Sequence, residues 1–486
     1  MNFKRKVLII FLTALFAFST AFFITSCYFE PGLRFRLLDG KQIVTKYNGT
    51  AKETEVVIPA EWEGYPVTAI DTKAFYDSQY VKSITIPDSV TYIAEDAFGH
   101  CESLESIIVL SGNPVYHSAG NCIIETATKT LVACCNTSVI PADGSVTSIG
   151  NYAFQACGRI KSIIIPDSVT SIGQTAFNDC NNLESITVSS GNTVYHSAGN
   201  CIIETATKTL VTGCKTSVIP ADGSVTSIGE YAFAVCLRLT SVEIPDSVTS
   251  IGNYAFYSCD NLESVTLGNN SKLISIGDCA FKFCYLANIT IPDSVTHIGK
   301  EAFYNCINLK SVAFGKNSKL DFVGDYAFDY CISLKNINIP DNVTHIGKDA
   351  FCGTAYYKSD SNWTNGVLYI GNHLVGAKTD ISGSYTIKSG TLTISDYAFN
   401  KCTRLDGVTI PDSVTSIGNY SFAYSDNLMT VVIGQNVTYI GFCAFDGCIN
   451  IKGVHYGGTW EQWQQIIIES GNSCLTNAMG RYINNI

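Results

Sequence analysis

One phrase, I-P-D-S-V-T-S-I-G-x-x-A-F-x-x-C-x-x-L-x-S-V-T, recurs along most of the chain, and nothing else in the sequence constrains the fold as much. An aliphatic residue shortly before each Ala-Phe or Ser-Phe falls at Ile70, Ile93, Ile149, Ile172, Ile228, Ile251, Ile276, Ile298, Val323, Ile346, Ile394, Ile417 and Ile440. These thirteen copies are mostly 22 to 25 residues apart, but three gaps run to 56, 56 and 48 residues. The first two gaps hold the same text. Val115 to Leu131 reads V-Y-H-S-A-G-N-C-I-I-E-T-A-T-K-T-L, and Val194 to Leu210 repeats it letter for letter, 79 residues on. The third gap carries a looser version beginning G-V-L-Y-I-G-N-H-L-V-G at Gly366. A length of 486 residues would ordinarily suggest about three domains. A repeat of this period instead makes one quasi-one-dimensional stack, in which each copy buries its apolar face only against its neighbours.

Within one copy the apolar positions are Ile165, Val169, Ile172, Ala176, Phe177, Cys180, Leu183, Ile186 and Val188. No single helical or strand period generates that spacing; a coil that turns corners does. Leu183 to Val188 alternates as L-x-x-I-x-V, the strand pattern of leucine-rich repeats. Pro166 stops the ladder because it has no N–H to donate, and Gly173 sits where the chain must turn. Ala176-Phe177 is expected to form a 3₁₀ or one-turn helical segment on the outside. The expected fold is a right-handed repeat solenoid. It has a parallel β-sheet on one face, short helical turns on the other, and β-hairpin insertions near 112–136, 191–215 and 363–390. Thirteen strands at about 4.8 Å give a ladder on the order of 60 Å.

Matched this many times over, the phrase resembles the BspA-like, or treponemal-type, leucine-rich repeat of bacterial surface proteins. The likeness covers roughly residues 33 to 486. Segments 56–70 and 454–478 resemble the ends of such proteins and are expected to cap the stack, whose last apolar layers would otherwise lie bare. The expected organisation is a signal peptide over 1–26, an anchored N-terminus and cap over 27–69, repeats over 70–453, and a C-terminal cap over 454–486. The resemblance implies adhesion to host matrix proteins or to other bacteria.

Export is written at the N-terminus. Lys4, Arg5 and Lys6 precede an almost unbroken apolar run from Val7 to Phe23, the layout of a secretory signal. The run ends Ile24-Thr25-Ser26-Cys27, which resembles a bacterial lipobox. In that pattern the Cys27 thiol receives a diacylglycerol and a peptidase cuts before it, and two or three acyl chains anchor stably where one does not. Tyr28 follows the cysteine, where an Asp would favour the inner membrane. The expected location is therefore the outer membrane or cell surface. The part after residue 26 carries 28 basic against 42 acidic residues. No basic stretch outside the N-terminus follows a phosphate backbone, so nucleic acid is not an expected partner.

The other suggestive residues repeat too. Ten cysteines lie three residues after the Phe: Cys101, Cys157, Cys180, Cys236, Cys259, Cys284, Cys306, Cys331, Cys402 and Cys448; Ser78 and Ser425 stand there in two other copies. A shared position means a shared inward direction, and free Cys is among the most buried residue types. Disulfides between copies are the rival reading for an exported chain. In an apolar layer, Cys180→Ser would cost on the order of 1–3 kcal/mol. Cys122 and Cys135, with their copies Cys201 and Cys214, flank a turn and are placed to bridge a hairpin. The histidines vary as repeat positions do, without a carboxylate at a fixed offset. Asp88, Asp167, Asp246, Asp293, Asp341 and Asp412 follow the Pro, where a short carboxylate caps turn N–H groups.

No G-x-S-x-G, G-x-G-x-x-G or Walker A loop occurs, so no catalytic residue, enzyme activity, metal or cofactor is expected. The outward strand positions supply the candidate site: Ser162, Ser185, Ser241, Ser264, Asn288, Ser311 and Asn336, a small, polar, nearly uncharged face. The expected partners are the membrane, through the lipid, and an extracellular protein or glycan on a host matrix or bacterial surface. The competing reading is a passive spacer of the envelope without a specific ligand.

Overall fold

The computed structural model describes residues 32–155, 157–268 and 270–483; Cys27 and the expected export signal lie outside these residues. Each regular copy has three sides. A four-residue strand such as Ser162–Ile165 alternates outward and inward, burying Ile163 and Ile165. After Pro166 a two-residue strand follows, here Ser171–Ile172. Copies stack in parallel with identical positions opposite one another: Ile163 faces Ile186, and Ile149 faces Ile172. The repeat solenoid with a parallel sheet and hairpin insertions is thus the observed fold.

The third side differs from the expected 3₁₀ or helical segment. Around most Ala-Phe pairs the chain forms a string of turns with left-handed residues four apart, one just before the Ala and one two residues after the Phe, as at Tyr231 (φ 56°) and Val235 (φ 57°). Along this string alternate N–H groups point the same way, along the stack. The N–H groups of Tyr231, Phe233 and Val235 donate to the carbonyls of Asn253, Ala255 and Tyr257 at 3.1, 2.7 and 2.7 Å. A helix would spend those donors within its own turn. Left-handed non-glycine residues cost roughly 1–2 kcal/mol each, and these inter-copy bonds offset that strain.

Inside the turn side runs a column of phenylalanines. Phe233, Phe256, Phe281, Phe303, Phe328 and Phe351 stack with centroids 5.0 to 5.5 Å apart and planes within 10°. Beside it, seven of the ten ladder thiols donate to the carbonyl of the previous copy's Phe, among them Cys180 to Phe154 (3.1 Å), Cys259 to Phe233 (3.0 Å) and Cys448 to Phe422 (3.0 Å); Cys402, which follows an insertion, reaches the Lys378 carbonyl instead. Burial pushes the thiols of Cys101 and Cys448 up to about 12, so they stay protonated and able to donate. All described cysteines are free. Ser425 makes the same bond, to Phe399 at 2.9 Å. This overturns the expected cost of serine, because the position is a hydrogen-bonding rung with a waiting acceptor. Cys180→Ser is expected to change stability by less than about 1 kcal/mol, whereas Cys180→Ala, which leaves the Phe154 carbonyl only the Cys157 N–H at 3.0 Å, should lose about 1 kcal/mol more than the serine variant. Urea midpoints of the two variants check this.

The three insertions are coils of the stack rather than appendages. Each ends in a strand that pairs in parallel with the next short strand, placing Leu131 against Ile149, Leu210 against Ile228 and Leu374 against Ile394. Preceding strands, such as Tyr195–Ala198 and Cys201–Glu204, fold back antiparallel on it. The insertions keep the aliphatic column but break the phenylalanine column. Gly213 and Ala377 donate to Ala232 and Ala398 at 2.9 and 2.7 Å, the bond that Phe233 makes to Ala255. Cys134, 79 residues before Gly213, takes the equivalent place in the first insertion. The ring before each gap is the least covered: Phe98, Phe177 and Phe351 are 7, 8 and 3% exposed, against 0% for Phe256 to Phe328.

In the first hairpin the expected partners are corrected. Cys122 stands opposite Cys134, not Cys135, with sulfurs 3.4 Å apart; Cys135 instead approaches the Asn121 carbonyl. The register shifts by one residue between Ile123 and Ile124, which counting from the turn does not reveal. In the second hairpin Gly213 replaces Cys134, leaving Cys201 without such a neighbour.

Both ends are covered. Lys41–Tyr47 pairs in parallel with Tyr65–Ile70, setting Val44 on Ile70. At the other end Ile467–Ile468 adds a last short strand against Tyr439–Ile440. The helix Ser473–Ile483 buries Leu475, Ala478 and Met479 over the final coil. Among the described residues no helix is long and apolar enough to cross a membrane.

Candidate ligand-binding surfaces

The strand face carries the residues singled out in the sequence. Ser162, Ser241, Ser264, Asn288, Ser311 and Asn336 are exposed and Ser185 is half-buried. The ladder brings them together in groups rather than in one uninterrupted row. Ser162 pairs with Ser185 and Ser241 with Ser264, while Ser311 lies between Asn288 and Asn336. Ser311 Oγ donates to Asn288 Oδ1 at 2.6 Å. The second hairpin separates the first pair from the second. Ile164, 61% exposed, and Glu243 interrupt the small polar surface.

The turn face is a second surface, which sequence reasoning missed. Tyr257, Phe283, Tyr304 and Tyr330 form a row of half-buried to exposed rings 5.6 to 5.9 Å apart. Lys282 lies over Phe283 and Tyr304, at 5.2 and 4.6 Å. Farther on, Tyr397 stacks on Tyr420 at 4.9 Å and Tyr420 meets Phe442 edge-on at 5.5 Å. The signal was present in the recurring Tyr before Ala-Phe or Ser-Phe, at Tyr152, Tyr231, Tyr254, Tyr326, Tyr397 and Tyr420. An αL residue between two inward side chains must point outward, but that backbone conformation is not written in the letters.

Asp329 belongs to the same face. It is only 5% exposed and accepts the Tyr330 N–H at 2.8 Å. Burial, with Asp349 nearby, pushes its carboxyl up to about 6. The unfolded value is about 3.9, so the folded chain binds the proton more tightly. Stability from this group is therefore greatest below about pH 4 and falls as pH rises to about 6. Asp329→Asn keeps an acceptor for Tyr330 and is expected to add on the order of 1–3 kcal/mol at pH 7 and nothing near pH 3.5. Urea midpoints of both chains at the two pH values test the sign.

Tertiary packing supplies partners that no fixed offset announced. His100 reaches Asp179 at 3.4 Å and His345 reaches Asp396 at 3.5 Å. His373 is buried between Thr393 Oγ1 and the Pro340 carbonyl, at 2.8 and 3.0 Å, and burial lowers its pKa. His297, Phe322 and His345 stack 4.3 and 4.5 Å apart. Of the aspartates after Pro, Asp412 caps the N–H of Gln435 at 3.0 Å. Asp246 and Asp293 instead each bury an oxygen without a hydrogen-bond partner, which departs from the expected capping role. They abut Gly268 and Gly315, where a Cβ would come within 2.0 and 1.8 Å of the carboxylate.

The family model for the BspA type leucine-rich repeat region matches in six copies, over residues 48–122, 68–198, 121–222, 226–358 and 377–473. No curated protein matches the chain. Among solved structures, a leucine-rich repeat protein from Bacteroides ovatus is 24% identical over 84% of this chain and 94% of its own, with a TM-score of 0.37. A leucine-rich cell surface protein from Faecalibacterium prausnitzii is 23% identical over 91% and 98%, with a TM-score of 0.25. A leucine-rich repeat protein from Eubacterium ventriosum is 20% identical over 88% and 94%, with a TM-score of 0.39. The family model covers most of the chain, from cap to cap: this protein belongs to the BspA-type leucine-rich repeat family.

Proposed function

We propose that the chain is a lipid-anchored bacterial surface protein that binds an extracellular protein or glycan through the faces of its solenoid. One observation carries the reading: the turn face holds aromatic side chains outward in a regular row, with Tyr330, Tyr424 and Phe442 more than 40% exposed. Contiguous exposed apolar groups of this kind mark interaction surfaces. The small, in-register residues of the strand face offer a second contact surface, where contacts are many and individually weak. Uncharged side chains there give little steering, so attachment through that face depends only mildly on salt.

Saturable binding of the purified protein to immobilised matrix proteins, mucin or whole bacteria is the expected result; a passive spacer would show none. Changing Ser162, Ser185, Ser241 and Ser264 together to Lys is expected to weaken attachment through the strand face strongly, because like charges then sit opposite each other within each pair. Circular dichroism must show the variant folded. Normal binding by the folded variant would remove the strand face as the site.

A further inference from the structure

We propose that the gap in the phenylalanine column at the third insertion is a binding cleft for a neutral carbohydrate. This inference rests on the reading of the chain as an extracellular binder. Where Ala377 stands in the place of a phenylalanine, the turn face opens into a cleft of about 540 Å³ between Phe351 and Phe399. That is within the usual range for a small-ligand site, roughly 300–1,000 Å³.

The walls are aromatic on both sides. Tyr397, Tyr420 and Tyr424 line the C-terminal side. Tyr357 lines the other, on a one-turn helix, Ala355–Lys358, that leads into this insertion. The helix is fixed by the Thr354 side chain, which accepts from the Tyr357 N–H at 3.0 Å. Trp363 packs edge-on against the Tyr357 ring at 5.1 Å and donates its indole N–H to the Tyr357 carbonyl at 2.8 Å. Lys348 lies over Tyr326 and Tyr397, at 5.6 and 4.9 Å. The wall is thus held by contacts within the protein before any ligand arrives.

The polar lining selects the chemistry. Lys348 and Lys401 stand against Asp349 and Asp396, so the charged lining side chains sum to zero and favour an uncharged ligand. Asp396 is occupied: it accepts the Asn419 N–H at 2.6 Å and faces His345. Asp349 and Lys401 are exposed at the rim and Asn400 is half-buried, offering an acceptor and donors to hydroxyl groups. An apolar ligand would desolvate these groups without replacing their hydrogen bonds. A sugar matches both halves of the lining, its C–H face on a tyrosine and its hydroxyls on the rim.

The test uses the full chain in detergent. A microarray of neutral oligosaccharides (glucan, mannan, galactan and N-acetylhexosamine fragments) is followed by calorimetry with the best fragment. Tyr424→Ala, at a position 46% exposed, and Asp349→Asn, whose left-handed backbone suits Asn, are chosen to keep the fold. Saturable binding weakened about tenfold by Tyr424→Ala and several-fold by Asp349→Asn is the expected result. Sugar binding unchanged in both variants overturns the cleft as the site. Saturable binding of matrix protein or peptide with none of the sugars overturns the ligand class, while the binder reading stands. Absence of any saturable ligand overturns both.

Discussion

Phe281→Ala is expected to destabilise the protein by roughly 3–5 kcal/mol, the cost of emptying a large aromatic site in a packed core. Phe281 is fully buried and stacked between Phe256 and Phe303, at 5.1 and 5.4 Å. Its backbone bonds survive the change: the N–H still reaches Ala302 at 2.8 Å and the carbonyl still accepts from Cys306 at 3.2 Å. The loss is therefore packing alone. In a stack where each copy touches only its neighbours, weakening one interface also uncouples the two sides. Urea unfolding followed by circular dichroism should move to a lower midpoint and broaden or split. A loss under about 1 kcal/mol would mean that the flanking rings close the space. The same change at Phe351, which borders a gap and has lost one stacking neighbour, is expected to cost less.

Cys27→Ala is expected to abolish lipid attachment altogether. Without the thiol there is no acceptor for the diacylglycerol, and the expected product is an uncleaved or soluble exported chain that stays in the aqueous phase of a detergent partition. Two or three acyl chains hold a protein to a membrane that a single chain binds only marginally, so the change in partitioning should be close to complete. Metabolic labelling with a fatty acid supplies the direct measurement. Labelling of the variant at the level of the parent would falsify the lipobox reading.

The two predictions draw on different levels of the molecule. The export and anchoring prediction rests on a linear motif, of a kind read by enzymes that meet a chain as a peptide. The Phe281 prediction rests on position in a stack, and the repeat made that position legible. A residue recurring at one place in thirteen copies must face the same way in each, so the buried Ile, Phe and Cys columns follow from spacing alone.

Tertiary structure decided what depends on the partner of each group. The cysteine position is polar in function because a carbonyl of the previous copy lies 3.0 Å from the Cys259 sulfur, and a sequence does not record where a neighbour's carbonyl points. The turn side is a third inter-copy ladder because left-handed residues four apart turn alternate N–H groups along the stack. Side-chain letters specify such a backbone poorly when the residues adopting it are Tyr, Asp, Lys and Val. Cys122 meets Cys134 because of a one-residue shift in register. Each insertion puts a small residue where the column has a phenylalanine, and at the third the turn face opens into a cleft. The repeat determined which residues face inward; the contacts between copies determined which outward groups meet, since those contacts join residues 18 or more positions apart whose separation varies from one copy to the next.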